Sequence, residues 1–316
     1  MLLSRVAERV YWQARYIERA ENTARLLSVY SALLMDLPAG TKLGWHTLIQ
    51  ITGHEKAFAQ RYKQANERNV IKFLLADRNN CSIVDMLAAA RENARTTREI
   101  MPTEAFELIN NLYYTARDKA ESGVARGPRY ELLEGFVADC QQIWGLLAGT
   151  MSRDDAYSFV RLGRGLERAD MTTRIVDVGS SNLIPELEGE KRESEVREPY
   201  ENTLWMNVLK SQSAFQMYRQ HVQHRVKGVE VVRFLLKDEQ FPRSTAHNLT
   251  TLTKVLQKLP NNSKVKWQVD QTRRLIREAD IDKLLRRGLL KYLDNVQKEI
   301  ANIHFRVADT WFLPHK

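Results

Sequence analysis

The sequence predicts an all-α protein, a helical bundle built from two similar halves. Apolar residues recur at helical spacing almost throughout, without convincing two-residue alternation. Only 8 Pro and 14 Gly occur among 316 residues, which favours long uninterrupted elements. One segment is also repeated: Arg15, Glu18, Arg19, Ala20, Glu21, Thr23 and Arg25 recur at an offset of 149 as Arg164, Glu167, Arg168, Ala169, Asp170, Thr172 and Arg174.

A second match supports the first. VIKFLLAD at 70–77 resembles VVRFLLKD at 231–238, and a serine follows each, Ser82 or Ser244. Such a self-match is typical of a tandem duplication. The extra residues of the second half fall in 179–200, which is rich in Gly, Ser, Pro and charge and is predicted to be a surface loop. We therefore expect one domain over 1–316, made of the halves 1–149 and 150–316.

Apolar spacing and the positions of proline predict the helices in order. They are expected over 3–36, 44–65, 67–77, 82–99, 103–120, 129–149, 153–178, 202–226, 228–238, 244–258, 262–278 and 280–312. Ser82 and Ser152 are predicted N-caps, because a serine hydroxyl can accept from a free N–H of the first turn. In the last helix, residues from Leu285 to Trp311 recur at three- and four-residue steps and predict a core-facing stripe.

Composition limits the class of protein. The net charge of +9 would suit an acidic partner, although basic and acidic residues alternate along the helices as they do on solvated faces. No apolar run approaches the ~18 residues of a membrane span. Arg5 and Glu8 interrupt the segment where a signal peptide has its apolar core. Cys81 and Cys140 make no metal or disulfide pattern, so we expect a cytoplasmic protein.

The repeated segment has a polar side rich in Arg and Glu. Large apolar neighbours, Trp12 in one copy and Met171 in the other, favour burial of this side, with Glu18 and Glu167 each paired with an Arg of another helix. Two interpretations remain. The pairs could lock the halves together, or the arginines could line a cleft that grips an anionic peptide or phosphate group. The candidates for that cleft are Arg15, Arg19, Arg25, Arg164, Arg168 and Arg174.

A third basic segment is not repeated. Arg91, Arg95 and Arg98 lie in AAARENARTTREIM, whereas the matching stretch of the second half reads NLTTLTKVL. A feature kept in one half breaks the symmetry and could mark a site, so these residues are further anion-binding candidates. We expect a cavity between the 82–99 helix and a repeated helix, completed by Arg15 or Arg164. The alternative is a basic solvated face.

Catalytic patterns are scarce. The sequence has no Gly-rich phosphate loop and no G-x-S-x-G segment. His221 and His224 lack further ligands at metal-site spacing, so we expect no metal and no cofactor. Glu18 and Glu167 are the candidates for a general base. Their Arg neighbours would lower their pKa values, which suits ion pairs better than proton transfer, and we expect a protein that is not an enzyme.

Four segments carry a resemblance to a known family. RVAERVYWQARYIERAENTARLL, RENARTTRE, FVRLGRGLERADMTTR and FLLKDEQFPRS together resemble the bacterial alpha-E family, along nearly the whole chain. Gln13 and Ala14 stand where Met-Gly is more usual in that family. The resemblance implies an all-helical fold. It also implies genomic company: a circularly permuted ATP-grasp ligase, a transglutaminase-like peptidase and sometimes a proteasome-related peptidase.

The expected function follows from that company. We expect an accessory or scaffold component of a peptide- or amide-bond synthesis and processing system, which binds a partner enzyme or an anionic peptide through an Arg-rich cleft. One alternative is an enzyme of the same pathway, with a Glu general base and Arg residues that hold an anion. Another is an Arg-rich RNA-binding protein, which few aromatic residues near the basic ones support. We expect no membrane partner.

Overall fold

The computed structural model describes residues 2–36, 44–78, 80–183 and 197–313. Those residues form fifteen α-helices and no β-strand, which confirms the predicted all-α class. The helices are α1 Ser4–Asp36, α2 His46–Thr52, α3 Glu55–Arg61, α4 Glu67–Leu75, α5 Ile83–Arg95, α6 Thr103–Lys119, α7 Arg126–Thr150, α8 Asp155–Leu183, α9 Arg197–Ser211, α10 Phe215–His221, α11 Gly228–Lys237, α12 Thr245–Leu256, α13 Ser263–Glu278, α14 Ile281–Arg286 and α15 Leu289–Val307.

Three predicted helices are each broken in two. The segment 44–65 divides at Gly53, which adopts a φ of 70° and ends α2. The last segment divides at Gly288, whose φ is 99°. Glycine has no Cβ and accepts such angles readily, so both breaks follow from local chemistry. The segment 202–226 divides at Ser213, a non-glycine residue with a φ of 50°.

Helix ends confirm one predicted cap and correct another. Ser82 Oγ accepts from the Asp85 N–H at 3.1 Å and caps α5, as predicted. Ser152 is not the cap of α8, because the side chain of Asp154 accepts from the Tyr157 N–H at 3.0 Å. The predicted loop 179–200 is also shorter than expected: its first residues, to Leu183, continue α8, and α9 starts at Arg197. Residues 184–196 lie outside the described residues.

The two repeated segments lie on α1 and α8, which pack side by side at the centre of the bundle. Tyr11 lies against Gly163, and Arg15 pairs with Glu167, so residue numbers increase together and the helices run in the same direction. Gly163 permits this close approach. A Cβ at that position would stand 2.3 Å from the carbonyl oxygen of Tyr11.

The neighbours of the central pair correspond in the two parts of the chain. On α1 pack α5 and α7, and on α8 pack α12 and α15. Each outer pair is completed by one more helix, α6 between α5 and α7, and α13 between α12 and α15. The crossing contacts also match, since α2 packs on α8 and α9 packs on α1. Internal duplication remains a prediction, and this arrangement agrees with it.

The core is apolar and continuous around α1 and α8. The predicted stripe of the last helix is largely buried, at Leu289, Val296, Ile300, Ile303, Val307 and Trp311. Burial of such side chains is the main favourable contribution to folding. Against this background the buried charged residues of α1 and α8 are exceptional, because ionised side chains are rarely buried without partners.

Candidate functional site

Two Arg–Glu networks lie between α1 and α8. We call the first the closed network; its members are Glu18, Glu21, Asn22, Arg25, Arg164, Arg168 and Arg243. The second is the open network; its members are Arg15, Arg19, Glu167, Asp170 and Arg174. Each network joins carboxylates of one repeated segment to arginines of the other, apart from pairs made within one helix and the contribution of Arg243.

Glu18 is the centre of the closed network. Its carboxylate accepts from Arg168 Nε at 2.7 Å, Arg164 Nε at 3.1 Å and Arg243 Nη1 at 3.1 Å. Burial alone would raise the pKa of Glu18, but Arg168, Arg243 and Arg164 outweigh it and hold the pKa far below its usual range. The carboxylate therefore stays ionised, with three guanidinium donors around it.

Glu21 closes the same network one turn further along α1. Its carboxylate accepts from Arg25 Nη2 at 2.5 Å, Arg243 Nη2 at 2.5 Å and Trp144 Nε1 at 3.1 Å. Arg243 thus bridges the two carboxylates, and its Nη1 also donates to Asn22 Oδ1 at 2.8 Å. Such a forked contact suits the planar guanidinium better than any other side chain.

The closed network holds four arginines and two carboxylates, so positive charge is in excess around Arg168. An ion pair normally raises the pKa of an arginine, yet the pKa of Arg168 falls to about 10. Burial is the main cause, and the guanidinium groups of Arg243 and Arg164 lower it further against the attraction of Glu18. Arg164 also lies over the ring of Trp144, 4.2 Å from its centroid, which shields part of its charge.

Glu167 is the centre of the open network. It accepts from Arg15 Nε at 2.7 Å and, in a bidentate contact, from Arg19 Nε at 2.6 Å and Nη2 at 3.0 Å. Burial raises the pKa of this carboxyl, but Arg19 and Arg15 outweigh that effect and lower the pKa to about 2. Arg174 Nε donates to Asp170 at 2.9 Å, one turn along α8.

A buried tyrosine orients Arg15. Arg15 Nη1 donates to the Tyr11 hydroxyl at 3.3 Å, and that hydroxyl lies 2.9 Å from Nδ1 of His304 on α15. The guanidinium can only donate, so the tyrosine hydroxyl accepts from Arg15, and its own O–H can donate to Nδ1 of the neutral His304 tautomer that carries its proton on Nε2. Burial and Arg15 lower the pKa of His304 to about 4, which agrees with that neutral state.

The burial prediction for the two glutamates is confirmed. Glu18 and Glu167 are buried, and each pairs with arginines of the other central helix. Exposed arginines occur in both networks, but in different numbers. In the closed network the Arg164 side chain is 28% exposed, whereas those of Arg168 and Arg243 are 13% and 9% exposed. In the open network the Arg19 and Arg174 side chains are 27% and 33% exposed. The open network therefore presents two arginines that solvent or a ligand can reach, and the closed network presents one.

Arg243 was missed in the sequence because its partners lie more than 200 residues away. A signal was present, since Arg243 immediately precedes Ser244, the serine that matches Ser82. The residue before Ser82 is Cys81, so the matched segments differ at this one position by a long cation. The side chain of Ser244 caps α12 as that of Ser82 caps α5.

The unrepeated arginines lie elsewhere, and the cavity predicted beside a repeated helix is wrong. Arg91 Nε donates to Asn110 on α6 at 2.7 Å, and its Nη2 donates to Tyr114 at 3.3 Å. Arg95 is exposed and pairs with Glu92 of its own helix. Neither side chain joins a network of α1 and α8, because α5 packs between α1 and α6 and directs Arg91 toward α6.

Arg98 lies at the same surface, with its guanidinium 3.7 Å from the centroid of the Phe106 ring.

Metal ligands are not gathered at His221 and His224 either. Within the described ranges, no group of three or more His, Cys, Asp or Glu side chains could hold a metal ion. Cys140 is buried in the core, and burial raises the pKa of its thiol well above the usual value.

The fold and the two networks define an all-α protein centred on buried Glu-Arg pairs. The family model of Alpha-E, a predicted alpha-helical domain with a conserved ER motif, matches residues 2–312. The chain belongs to the Alpha-E family. In this chain Glu and Arg are adjacent in the sequence at Glu18-Arg19 and at Glu167-Arg168. The ion pairs cross between the two helices, since Arg19 donates to Glu167 and Arg168 donates to Glu18. Neither the curated proteins nor the solved structures include a significant match. Among the helices described, none has the length and apolar character needed to cross a bilayer.

Proposed function

We propose that this chain is a cytoplasmic accessory component of a bacterial ATP-grasp-linked system that makes and processes peptide or amide bonds. It binds a partner enzyme or an anionic peptide through the exposed side of the open network. The observation that carries the proposal is the solvent exposure of the Arg19 and Arg174 side chains. Both lie on the central helices, yet their side chains remain 27% and 33% exposed beside carboxylates that are already paired.

Charge supports an anionic ligand. The open network holds three arginines and two carboxylates, so it keeps one positive charge in excess. The chain as a whole has a net charge of +9, which favours encounter with acidic partners. The family resemblance implies that an ATP-grasp ligase and a transglutaminase-like peptidase are encoded nearby, and we take these enzymes as the class of partner.

The enzyme alternative has less support. A general base needs a pKa near the working pH, whereas arginines lower the pKa of Glu167 to about 2 and that of Glu18 further. Both carboxylates are also buried and already accept from two or three guanidinium groups. A substrate proton would have to displace those donors.

The RNA-binding alternative is not favoured by the basic surface of α5 and α6. Single-stranded nucleic acid stacks its bases on exposed aromatic faces. Here the guanidinium groups of the protein lie over those rings, with Arg91 over Tyr113 and Tyr114, Arg117 over Tyr114, and Arg98 over Phe106. The rings are therefore occupied from within the chain.

The test is co-purification of the tagged full chain with the ATP-grasp ligase and the peptidase of the same genome. ATP turnover by the ligase is then measured with and without the chain. We expect capture of a partner and a change in turnover of several-fold. Arg174→Ala should weaken both effects, whereas Arg274→Ala, at an exposed arginine on α13, should not. No capture together with unchanged turnover would defeat the proposal.

A further inference from the structure

One difference between the two networks lies at the residue before a helix cap. Ser82 and Ser244 cap α5 and α12, and the residues just before them are Cys81 and Arg243. Arg243 reaches into the closed network and bridges Glu18 and Glu21. At the matching position the sequence has Cys81, a short side chain without a guanidinium group. The open network therefore lacks the guanidinium that completes the closed one.

A second difference is reciprocal to the first. His54 and Ala214 each stand directly before a helix, α3 or α10, and each follows a residue of positive φ. In the closed network Arg243 lies beside Arg168 and Arg25. In the open network Gly53, the residue before His54, lies against Arg174 Nη1, and Arg19 and Arg174 both lower the pKa of His54. Arg19 and Arg174 are the residues that match Arg168 and Arg25 in the repeat. At these two matched positions the closed network has Arg243 and Ala214, whereas the open network has Cys81 and His54.

The segment before the cap is also held differently. Thr172 Oγ1 of α8 donates to the carbonyl oxygen of Arg243 at 2.8 Å, which fixes that segment on the central helix. The matching residue of α1 is Thr23, whose hydroxyl is buried with no hydrogen-bond partner among the described residues. Thr23 therefore does not form the hydrogen bond that would correspond to the one between Thr172 and the Arg243 carbonyl oxygen.

Donor groups are left available at the open side. Arg174 donates through Nε to Asp170, and its terminal nitrogens have no acceptor among the residues described. Arg19 uses Nε and Nη2 on Glu167, which leaves Nη1. His54 Nδ1 is buried and has no partner in the described chain. Gly53 gives the Arg174 guanidinium its place, since a Cβ there would lie 2.8 Å from Nη1.

We infer that Arg19, Arg174 and His54 form a binding site for a single carboxylate group. The inference rests on the proposed function for its general setting, an anionic peptide or protein ligand, and names the chemistry of the contact. Both guanidinium groups can donate N–H groups to a carboxylate, and a neutral imidazole has one N–H to donate. The surplus of one positive charge matches one carboxylate, whereas a phosphate dianion would leave the site negative.

The imidazole is neutral before the ligand arrives. Burial, Arg19 and Arg174 lower the pKa of His54 to about 4, against a smaller opposing effect of Glu55. A bound carboxylate would offset the two arginines and raise that pKa. His54 is therefore a natural reporter of occupancy, because its resonances respond to a charge placed beside it.

The experiment uses the isolated full chain with isotope-labelled histidine, which gives resonances for 7 His residues. The probes are an N-acetylated tripeptide of neutral side chains with a free C-terminus, its C-terminal amide, the same amide carrying one Glu side chain, and inorganic phosphate. We expect the free acid or the Glu-containing amide to shift the His54 resonance in a saturable manner, and the neutral amide to leave it unchanged. The stronger of the two acids identifies the source of the carboxylate.

Variants test the assignment. Arg174→Gln should weaken binding roughly tenfold or more, because a charge-assisted contact is lost. Should that variant fail to fold, His54→Ala provides the same test by calorimetry. The double change His54→Ala with Cys81→Arg copies the closed network and should abolish binding. Arg274→Gln is the matched control at an exposed arginine and should bind normally.

Three results would overturn the inference: no shift with either acid, unchanged affinity in both Arg174→Gln and His54→Ala, or tighter binding of phosphate than of the acids. These measurements need no partner enzyme. Carboxylate binding with neither partner capture nor a change in ligase turnover would leave the inference standing and remove the proposed function, and capture with changed turnover but without carboxylate binding would do the opposite.

Discussion

At the scale of single residues, Glu167 shows how the networks connect pH with stability. Its pKa is about 2 in the folded chain, against an ordinary value of 4.5. Above pH 4.5 the carboxylate is ionised in both states, and its ion pairs contribute fully to folding. As the pH falls from 4.5 toward 2 the unfolded chain takes up a proton that the folded chain does not, so this stabilisation is lost.

We predict that Glu167→Gln lowers the free energy of unfolding at pH 7 by about 3–5 kcal/mol, since Arg15 and Arg19 lose their charged partner in a buried site. The gap between the variant and the wild type should narrow below pH 4.5, where the wild type loses the same interaction. Urea denaturation across that range measures both curves. Glu278→Gln, at an exposed glutamate, is the control and should change little. Parallel curves for wild type and Glu167→Gln would contradict the prediction.

The same residues show what sequence can and cannot give at this scale. The burial of Glu18 and Glu167 followed from a repeated polar segment flanked by large apolar residues. Arg243 did not follow, because its contacts with Glu18 and Glu21 join residues more than 200 positions apart. Helical spacing reports on one helix, and it carries no information about which distant loop supplies a third guanidinium.

At the scale of helices, helix identity was predictable and helix interruption only partly so. Each α-helix of the described residues lies within a predicted segment or overlaps one. Apolar periodicity is sufficient for this because the spacing of apolar residues along one helix is a local property of the sequence. Gly53 and Gly288 were visible as glycines, although their positive φ was not anticipated. Ser213 gave no signal, since a serine rarely adopts positive φ. Its angle belongs to a cap at the end of α9, where the Ala214 N–H donates to the Leu209 carbonyl oxygen at 2.8 Å and the Ser213 N–H donates to that of Lys210 at 2.9 Å.

Close packing of α1 and α8 gives a prediction for glycine. Gly163→Ala should destabilise the protein by about 1–3 kcal/mol or more, because its Cβ would meet the Tyr11 carbonyl oxygen at 2.3 Å and backbone cannot easily withdraw. Gly145→Ala on α7 is the matched change, with nothing within 4 Å of the new Cβ. It should stabilise by up to about 1 kcal/mol, because Ala is the better helix former. Thermal unfolding of both variants should therefore show shifts of opposite sign. Equal shifts would mean that α1 and α8 do not approach as described.

At the scale of the whole molecule, the networks make the two parts of the chain depend on each other. Glu18 of the first half relies on Arg164, Arg168 and Arg243 of the second. Glu167 of the second half relies on Arg15 and Arg19 of the first. Separating the halves would leave each glutamate without these partners, and the apolar faces of α1 and α8 would be uncovered with them.

We therefore predict that fragments 1–149 and 150–316, produced separately, do not unfold cooperatively as monomers, and that mixing them restores one sigmoidal transition. Circular dichroism during urea titration, with light scattering for mass, makes the measurement. Fragment 1–149 has one further option. In a homodimer, Arg15 and Arg19 of one copy could meet Glu18 of the other, since Glu18 matches Glu167 in the repeat. A dimer of that fragment would supply the same ion pairs and favour the duplication hypothesis, whereas stable monomers of both fragments would show that the reciprocal pairs are not needed to fold either half.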